Sequence, residues 1–539
     1  MAARSPGGTA PLKLTLRAAN RSLAKLKPIS VQCQYRVNSI PWMEIVLSAE
    51  DGDPGSFKDE VSACLPGNTF RLATEEGALF FDGIVARLSR RTGASRSELT
   101  LHVRHPLQKL ASMQRSQVFE QLTDSAIVSS ICSAQGIRVA GTEGLTIRHP
   151  QMVQFQCSDW HFMRARVKAN AAWIVVQPDT LRIALPKLAP TADHTLRWAQ
   201  RDTQGGASPQ ADVDDAFWRF DVTELASGIT MSGWDLRQQK SVSVKAETMT
   251  LGRGALDARR LKTLGSGAWS SARSTALQPG ELAALARATL QDQHLNGAIA
   301  RFVVVGSLSY GVGQTLELSG FGDGFDGSGI ITGVEHFLVQ GAWRTTLDLG
   351  VDDAWSEFDT SGVPAVSGTH VGVVEAFQRD PDGLDRFRVR IPALIEDNKP
   401  LWARFSTPYA GEAHGLYLYP EVGDEVSVTF FDHDPRYPVI TNAMFNPKNP
   451  PPVAAGASGP RALVFDSQKK RQLLFDGQSG ALTLQAGDDT VILDQGIALT
   501  SNKEIKADGP ALGLSASKKV EVQGKSGVSI KGPKIEMDS

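Results

Sequence analysis

Leu482-Thr-Leu484, Val491-Ile-Leu493, Ile497-Ala-Leu499, Ile505-Lys-Ala507, Leu512-Gly-Leu514, Val520-Glu-Val522, Val528-Ser-Ile530 and Ile535-Glu-Met537 form a run of apolar–any–apolar triplets. Their starts lie 9, 6, 8, 7, 8, 8 and 7 residues apart, and Gly, Asp, Asn, Pro and Lys fill the gaps. Leu463-Val-Phe465 and Leu473-Leu-Phe475 extend the series upstream. A three-residue strand places its first and third side chains on one face. Two apolar side chains per strand make a stripe and not a core, so such repeats must bury the stripe against neighbours. Three chains wound about one axis do this, each supplying one wall of a triangular prism, and the winding removes exposed strand edges. The expected axis-facing residues are Leu482, Leu484, Val491, Leu493, Ile497, Leu499, Leu512, Leu514, Val520, Val522, Val528, Ile530 and Ile535. A one-chain solenoid needs longer rungs, and a disordered tail lacks regular triplets.

Upstream, Asn446-Pro-Lys-Asn-Pro-Pro-Pro followed by Val-Ala-Ala-Gly-Ala-Ser-Gly-Pro460 is stiff and then loose, the composition of a linker. Before it lies a unit of short strands: His370–Gln378, Arg386–Ile391, Leu401–Phe405, Gly415–Tyr419, Glu425–Phe431 and Val439–Met444. Turn clusters separate them, at Asp380-Pro-Asp-Gly, Asp397-Asn-Lys-Pro, Pro420-Glu-Val-Gly-Asp and Asp434-Pro-Arg-Tyr-Pro. Five or six such strands predict a small barrel of the OB type.

The first 360 residues read mainly as strands, with a turn cluster at Asp51-Gly-Asp-Pro-Gly. Helices are expected from Asp124 to about Gln135, capped by Thr123 or Asp124 and stopped by Gly136, and from Asp159 to about Asn170. A third runs from Glu281 to Asn296, between Pro279-Gly280 and Gly297. The division is therefore 1–360, 364–446, a linker at 447–460, and 461–539.

Composition excludes little but excludes it firmly. Hydrophobic residues are 41%, charged residues 21% and net charge −2, so no bulk field draws the chain to nucleic acid. No apolar run approaches the roughly 20 residues of a spanning helix. No acid precedes Glu44, while Arg4, Lys13, Arg17, Arg21, Lys25, Lys27 and Arg36 do. Yet Leu12, Leu14 and Leu16 alternate with polar residues, which predicts a strand and not the apolar core of a secretory signal. Cys33, Cys64, Cys132 and Cys157 form no CxxC pair and read as buried reduced thiols.

Candidate chemistry reduces to turn geometry. Gly322-Asp-Gly324-Phe-Asp-Gly327 fits GxGxxG, but a strand pattern follows where a dinucleotide site needs a helix. Asp323 and Asp326 in that stretch are calcium-loop candidates, a solvated turn being the stronger reading. Asp432-His-Asp434, ahead of Pro435, could supply paired carboxylates, and a turn again accounts for it better. Asp488-Asp489 fills a gap between triplets. His102 and His370 are lone histidines between apolar residues. The expected catalytic, cofactor and metal complements are all none, and the mixed charge of the barrel unit argues against an oligonucleotide surface.

Several segments resemble one family, the VgrG-type spikes of contractile injection systems. They are Ser158-Asp-Trp-His-Phe162 with the helix it opens, the upstream Leu122-Thr-Asp-Ser-Ala-Ile127, and Ile331-Thr-Gly-Val-Glu-His336 with Trp343-Arg-Thr-Thr-Leu-Asp-Leu349. Val371-Gly-Val-Val374, Phe387-Arg-Val-Arg-Ile-Pro392, Pro420-Glu-Val-Gly-Asp-Glu-Val426 and Pro438-Val-Ile-Thr-Asn-Ala443 match the family's OB unit. His161 departs from the family's SDWDF pattern, and the segment from Thr191 to Thr275 carries no quotable match. The resemblance implies a mainly β protein: an α+β hub of phage-tail-hub-like β-barrel domains, an OB-fold barrel, and a C-terminal triple-stranded β-prism, an intertwined trimeric β-helix. It implies a homotrimer that docks on a hexameric tube (Hcp-like) protein within a baseplate. It also implies a PAAR-type tip protein on the needle end, effector cargo, and contact with the target membrane during puncture. Such a protein is made in the bacterial cytoplasm without a signal peptide and ends in a secreted or injected particle. A trimeric phage-type tailspike or adhesin that binds or cleaves surface glycans is the alternative from another class.

Overall fold

The computed structural model describes residues 12–49, 58–92, 97–178, 180–198, 212–247, 249–264, 267–351, 362–394, 399–453 and 459–536. The turn cluster at Asp51, much of the one at Asp397, the 360/364 boundary, part of the linker and Met537 lie outside them. The chain forms two compact units, Met1–Met444 and Phe445–Ser539.

In the first unit, alternating sequence makes alternating strands. Trp42–Ala49 buries Met43, Ile45 and Leu47, and Ser97–Arg104 buries Leu99, Leu101 and Val103 against them. The hub strands join into a fourteen-stranded sheet. Along it run Val213–Phe220, Ala298–Val305, Ala342–Leu349, Gly327–Val339, Leu26–Arg36, Trp42–Ala49, Ser97–Arg104, Leu79–Thr92, Thr69–Thr74 and Leu14–Ala18. Antiparallel pairing of Leu26–Arg36 with Gly327–Val339 splices the early hub strands to the late ones, Gly333 opposite Arg36.

Helices Asp124–Ala134 and Asp159–Ala169 fall where expected, since each has a strong cap. Thr123 Oγ1 accepts from the Ala126 N–H and Ser158 Oγ from the His161 N–H, both at 3.2 Å. Helix Pro279–Gly297 packs on a three-stranded sheet of Gly228–Asp235, Lys240–Lys245 and Ala268–Arg273. Much of the stretch from Thr191 to Thr275 is thus part of the hub scaffold. The cysteines are free and buried, and burial pushes the Cys33, Cys64 and Cys157 thiols up to about 12.

Downstream, His370–Val374, Phe387–Arg390, Leu401–Phe405, Pro438–Met444 and Glu425–Phe430 close a five-stranded barrel. Gly372 sits where strand meets core: a Cβ there would lie 2.6 Å from Val389 Cγ1. The expected strand Gly415–Tyr419 is corrected. Only a two-residue hairpin forms, Ala410–Gly411 with His414–Gly415, and Leu416–Tyr419 continues as exposed loop because no barrel strand is left to pair with it.

The second unit holds a five-stranded antiparallel meander of Arg461–Asp466, Arg471–Phe475, Leu482–Ala486, Asp489–Leu493 and Ile497–Thr500. Residues 501–536 form no strand in the single chain.

Candidate assembly face and hub–barrel junction

The first three triplets, Leu482–Leu484, Val491–Leu493 and Ile497–Leu499, pair in register within the meander, whereas those beyond Thr500 form no strand. Register sets Leu482 opposite Leu493 and Leu493 opposite Ile497, while Leu484 faces Val491 and Val491 faces Leu499. Upstream, Phe475 joins the first row opposite Leu482, and Leu473 joins the second opposite Leu484. Two apolar rows therefore cross one face of the meander. Among the described residues the rows are open at Ile497, 74% exposed, and Leu499, 56%, and half-buried at Leu473, Leu482 and Val491. Beyond Thr500, Leu512, Leu514, Val520, Val522, Val528, Ile530 and Ile535 are all exposed, Ile530 at 72%. Continuous exposed apolar surface on this scale marks an interaction face.

A second arrangement lies inside the first unit. Asp124, fully buried at the start of its helix, accepts from Arg166 Nε at 2.8 Å and Nη2 at 2.9 Å, and from Asn170 Nδ2 at 2.9 Å. His149 Nε2 lies 3.0 Å from the same carboxylate. Arg166 Nη1 donates to the Gly362 carbonyl at 2.7 Å and to Glu281 Oε1 at 3.3 Å. Glu281 Oε1 also accepts from Arg436 Nη1 at 2.7 Å, and Arg436 clamps Asp434 through Nε and Nη2. Arg166 and Glu281 sit on hub helices, and Arg436 on the turn into the last barrel strand. Glu281 thus joins the hub's Arg166 to the barrel's Arg436, and the Arg436 guanidinium ties hub to barrel. Burial opposes the charge on Asp124, but Arg166 and His149 outweigh it and hold the carboxyl well below its usual range. Burial likewise opposes the charge on Glu281, and Arg436 and Arg166 outweigh it and lower its pKa.

Apolar packing crosses the same junction. Val118, Val153 and Phe155 of the hub hairpin Gln114–Thr123/Arg148–Ser158 share one core with Val374, Val389, Leu401, Val426 and Ile440 of the barrel. The Phe155 ring lies 5.0 Å from His370 and 6.0 Å from Phe430.

Four of the carboxylate candidates, Asp326, Asp432, Asp434 and Asp488, have structural partners. Asp434 is the Arg436 clamp, and Asp432 Oδ2 accepts from the backbone N–H groups of Ser274 and Thr275 at 2.7 and 2.9 Å. Asp326 accepts from the N–H groups of Gly320 and Phe321 at 3.2 and 2.7 Å, closing the Gly-rich turn, which leads into the strand from Gly327. Asp488 bonds Asn502, and His102 lies 3.2 Å from Glu44. Among the described residues no group of three or more His, Cys, Asp or Glu is placed to hold a metal ion, and no helix is long and apolar enough to cross a membrane. Sequence reading missed Arg166, His149, Glu281 and Arg436, whose partners come from distant segments. The one available signal was Asp124 and Arg166 lying inside apolar helix patterns.

The family profile of the Alg8 N-terminal domain matches residues 12–340, more than half of the chain. The chain belongs to that family. A second profile, the type VI secretion system/phage-baseplate injector OB domain, matches residues 370–445, the closed barrel. The type VI secretion system spike protein VgrG1a of Pseudomonas aeruginosa is 27% identical over 160 residues, 25% of this chain and 24% of that protein. The actin cross-linking toxin VgrG1 of Vibrio cholerae is 27% identical over 203 residues, 35% of this chain and 17% of its own. The matches thus span about a quarter or less of these relatives' length. In fold, the chain resembles a chain of the Francisella PdpA–VgrG complex, with TM-score 0.55 and 8% identity over 90% of this chain and 88% of that one. It also resembles the E. coli c3393 protein, a type VI secretion system component similar to the T4 tail proteins gp27 and gp5. There the TM-score is 0.51 with 14% identity, over 80% of this chain and all of that one. Sequence and fold together support a VgrG-type spike protein.

Proposed function

We propose that this chain is the structural spike of a contractile injection system, acting as a homotrimer. The observation that carries the reading is the double row of apolar side chains from Leu473 to Leu499, open to solvent at Leu484, Leu493, Ile497 and Leu499 and continued by the exposed triplets to Ile535. Burying a Val, Leu or Ile side chain contributes about 1.5–3 kcal/mol, so three copies that turn this face inward gain stability along the whole needle. The hub docks on a hexameric tube protein in the baseplate, and the needle leads, bearing a PAAR-type tip protein or effector cargo. Penetration needs stiffness and no active site, which suits a hub and barrel that share a core and a buried ion network. The domain division at 1–360, 364–446, 447–460 and 461–539 belongs to this proposal.

The test is solution mass by light scattering on the purified chain of 58.0 kDa, followed by co-assembly with a hexameric Hcp-like tube protein. The expected result is three times the chain mass and a stable complex with tube hexamers. A folded monomer overturns the trimer. A trimer that ignores the tube and binds or cleaves glycans through residues 461–539 favours a tailspike.

A further inference from the structure

The seam between hub and barrel encloses a cavity of about 330 Å³. Trp234 from the hub and Trp402, Phe431 and Tyr437 from the barrel side are among its lining residues. His149 and Glu281 of the buried network line it, 2% and 1% exposed. Glu281 spends Oε1 on the two guanidiniums. Among the described residues no donor lies within hydrogen-bond distance of Oε2, whose ion-pair neighbour is His149 Nδ1 at 3.9 Å. A carboxylate oxygen and an imidazole nitrogen thus border the cavity without a bond between them, open to hydrogen bonds from a guest.

Arginine supplies the remaining polarity. Arg237 pairs with Asp382 at 2.7 Å, and Arg386 pairs with Asp382 at 2.6 Å. Arg404 rests over the Phe431 ring, 5.8 Å from its centroid, with no carboxylate at salt-bridge distance among the described residues. These features select by elimination. A cation meets Arg404 and finds Glu281 already neutralised by Arg166 and Arg436. A purely apolar guest leaves Glu281 Oε2 and His149 Nδ1 without partners. A hydroxylated ring meets these features: a hydroxyl donates to Oε2 and bonds the imidazole, ring oxygens accept from Arg404, and a C–H face lies on the Trp234 ring. The volume sits at the small end of ligand pockets, about 300–1,000 Å³.

We propose that this cavity is a saccharide-binding site that holds one or two sugar rings at the hub–barrel seam of each protomer. It is separate from the needle face, and its failure leaves the spike reading untouched.

The experiment is saturation-transfer NMR on the full-length chain with maltose and with N,N′-diacetylchitobiose. The expected result is transfer to the ring protons of at least one sugar. Trp234→Ala, at the half-exposed rim, weakens it roughly tenfold while melting temperature is unchanged. Glu281→Gln serves as a second variant, and a sugar that raises the melting temperature of wild type but not of this variant supports the site. No transfer from either sugar overturns the proposal. Transfer of equal strength in Trp234→Ala also overturns it, because the sugar then binds elsewhere.

Discussion

At the scale of single residues, Arg166 decides more than any other side chain. It is fully buried and contacts Asp124, Glu281 and Gly362 at once. Burial opposes its charge, and Asp124 and Glu281 outweigh that and raise its pKa. Removing one partner of a buried pair leaves the other charged and unsolvated, at about 3–5 kcal/mol. Arg166→Met is therefore expected to lower unfolding stability by about that much, read from the guanidinium midpoint at constant slope. Arg166→Lys keeps the charge but loses the planar fork, and should fall between. A midpoint within error of wild type for Arg166→Met would refute the account. Asp434→Ala leaves the buried Arg436 with Glu281 as its remaining carboxylate and should be destabilising, whereas a turn carboxylate without a partner could be replaced silently.

At the scale of elements, the network and the barrel make separate predictions. Asp124 and Glu281 both have lowered pKa values in the folded chain. A depressed carboxyl contributes its stability in full above its unfolded value and loses it as pH falls towards the folded value. The melting temperature should be flat from neutral pH to about 5 and fall steadily below about 4. In Asp124→Asn the acid-side fall should be shallower, starting from a lower plateau, and parallel curves would show that the network does not govern acid sensitivity. In the barrel, Gly372→Ala forces Cβ towards Val389 and Val428 at 2.6 and 2.8 Å. Overpacking of this kind costs about 1–3 kcal/mol, measurable by thermal unfolding, and an unperturbed melting temperature would mean that those side chains yield freely.

At the scale of the whole molecule, the uncovered needle face is the feature that demands partners. Deleting residues from Leu482 onward should give a product that fails to reach three times its own, shortened chain mass, or dissociates on dilution; an undiminished trimer would move the assembly determinant upstream of Leu482. Val528→Asp brings three carboxylates to the proposed axis, where an uncompensated charge is costly. Its expected signature is a lower melting temperature for the trimer with the hub's circular dichroism retained. A wild-type melting curve would argue against the prism.

What the sequence by itself determined was whatever is encoded locally. The period of the triplets put Leu482, Leu484, Val491, Leu493, Ile497 and Leu499 on one face, because side chains alternate along any strand. Caps at Thr123 and Ser158 placed two helices, because a side-chain oxygen meets backbone donors only a few residues away. Turn chemistry delimited the barrel strands, failing at Gly415–Tyr419, where an apolar run lacked a neighbour to pair with. Only the tertiary structure decided that Arg166, Glu281 and Arg436 converge, that Phe155 enters the barrel core, and that a cavity lies between Trp234 and Trp402. These groups are separated by more than a hundred residues of chain. Their attraction is paid in loop closure and desolvation, which only the assembled fold settles, and no local pattern records them.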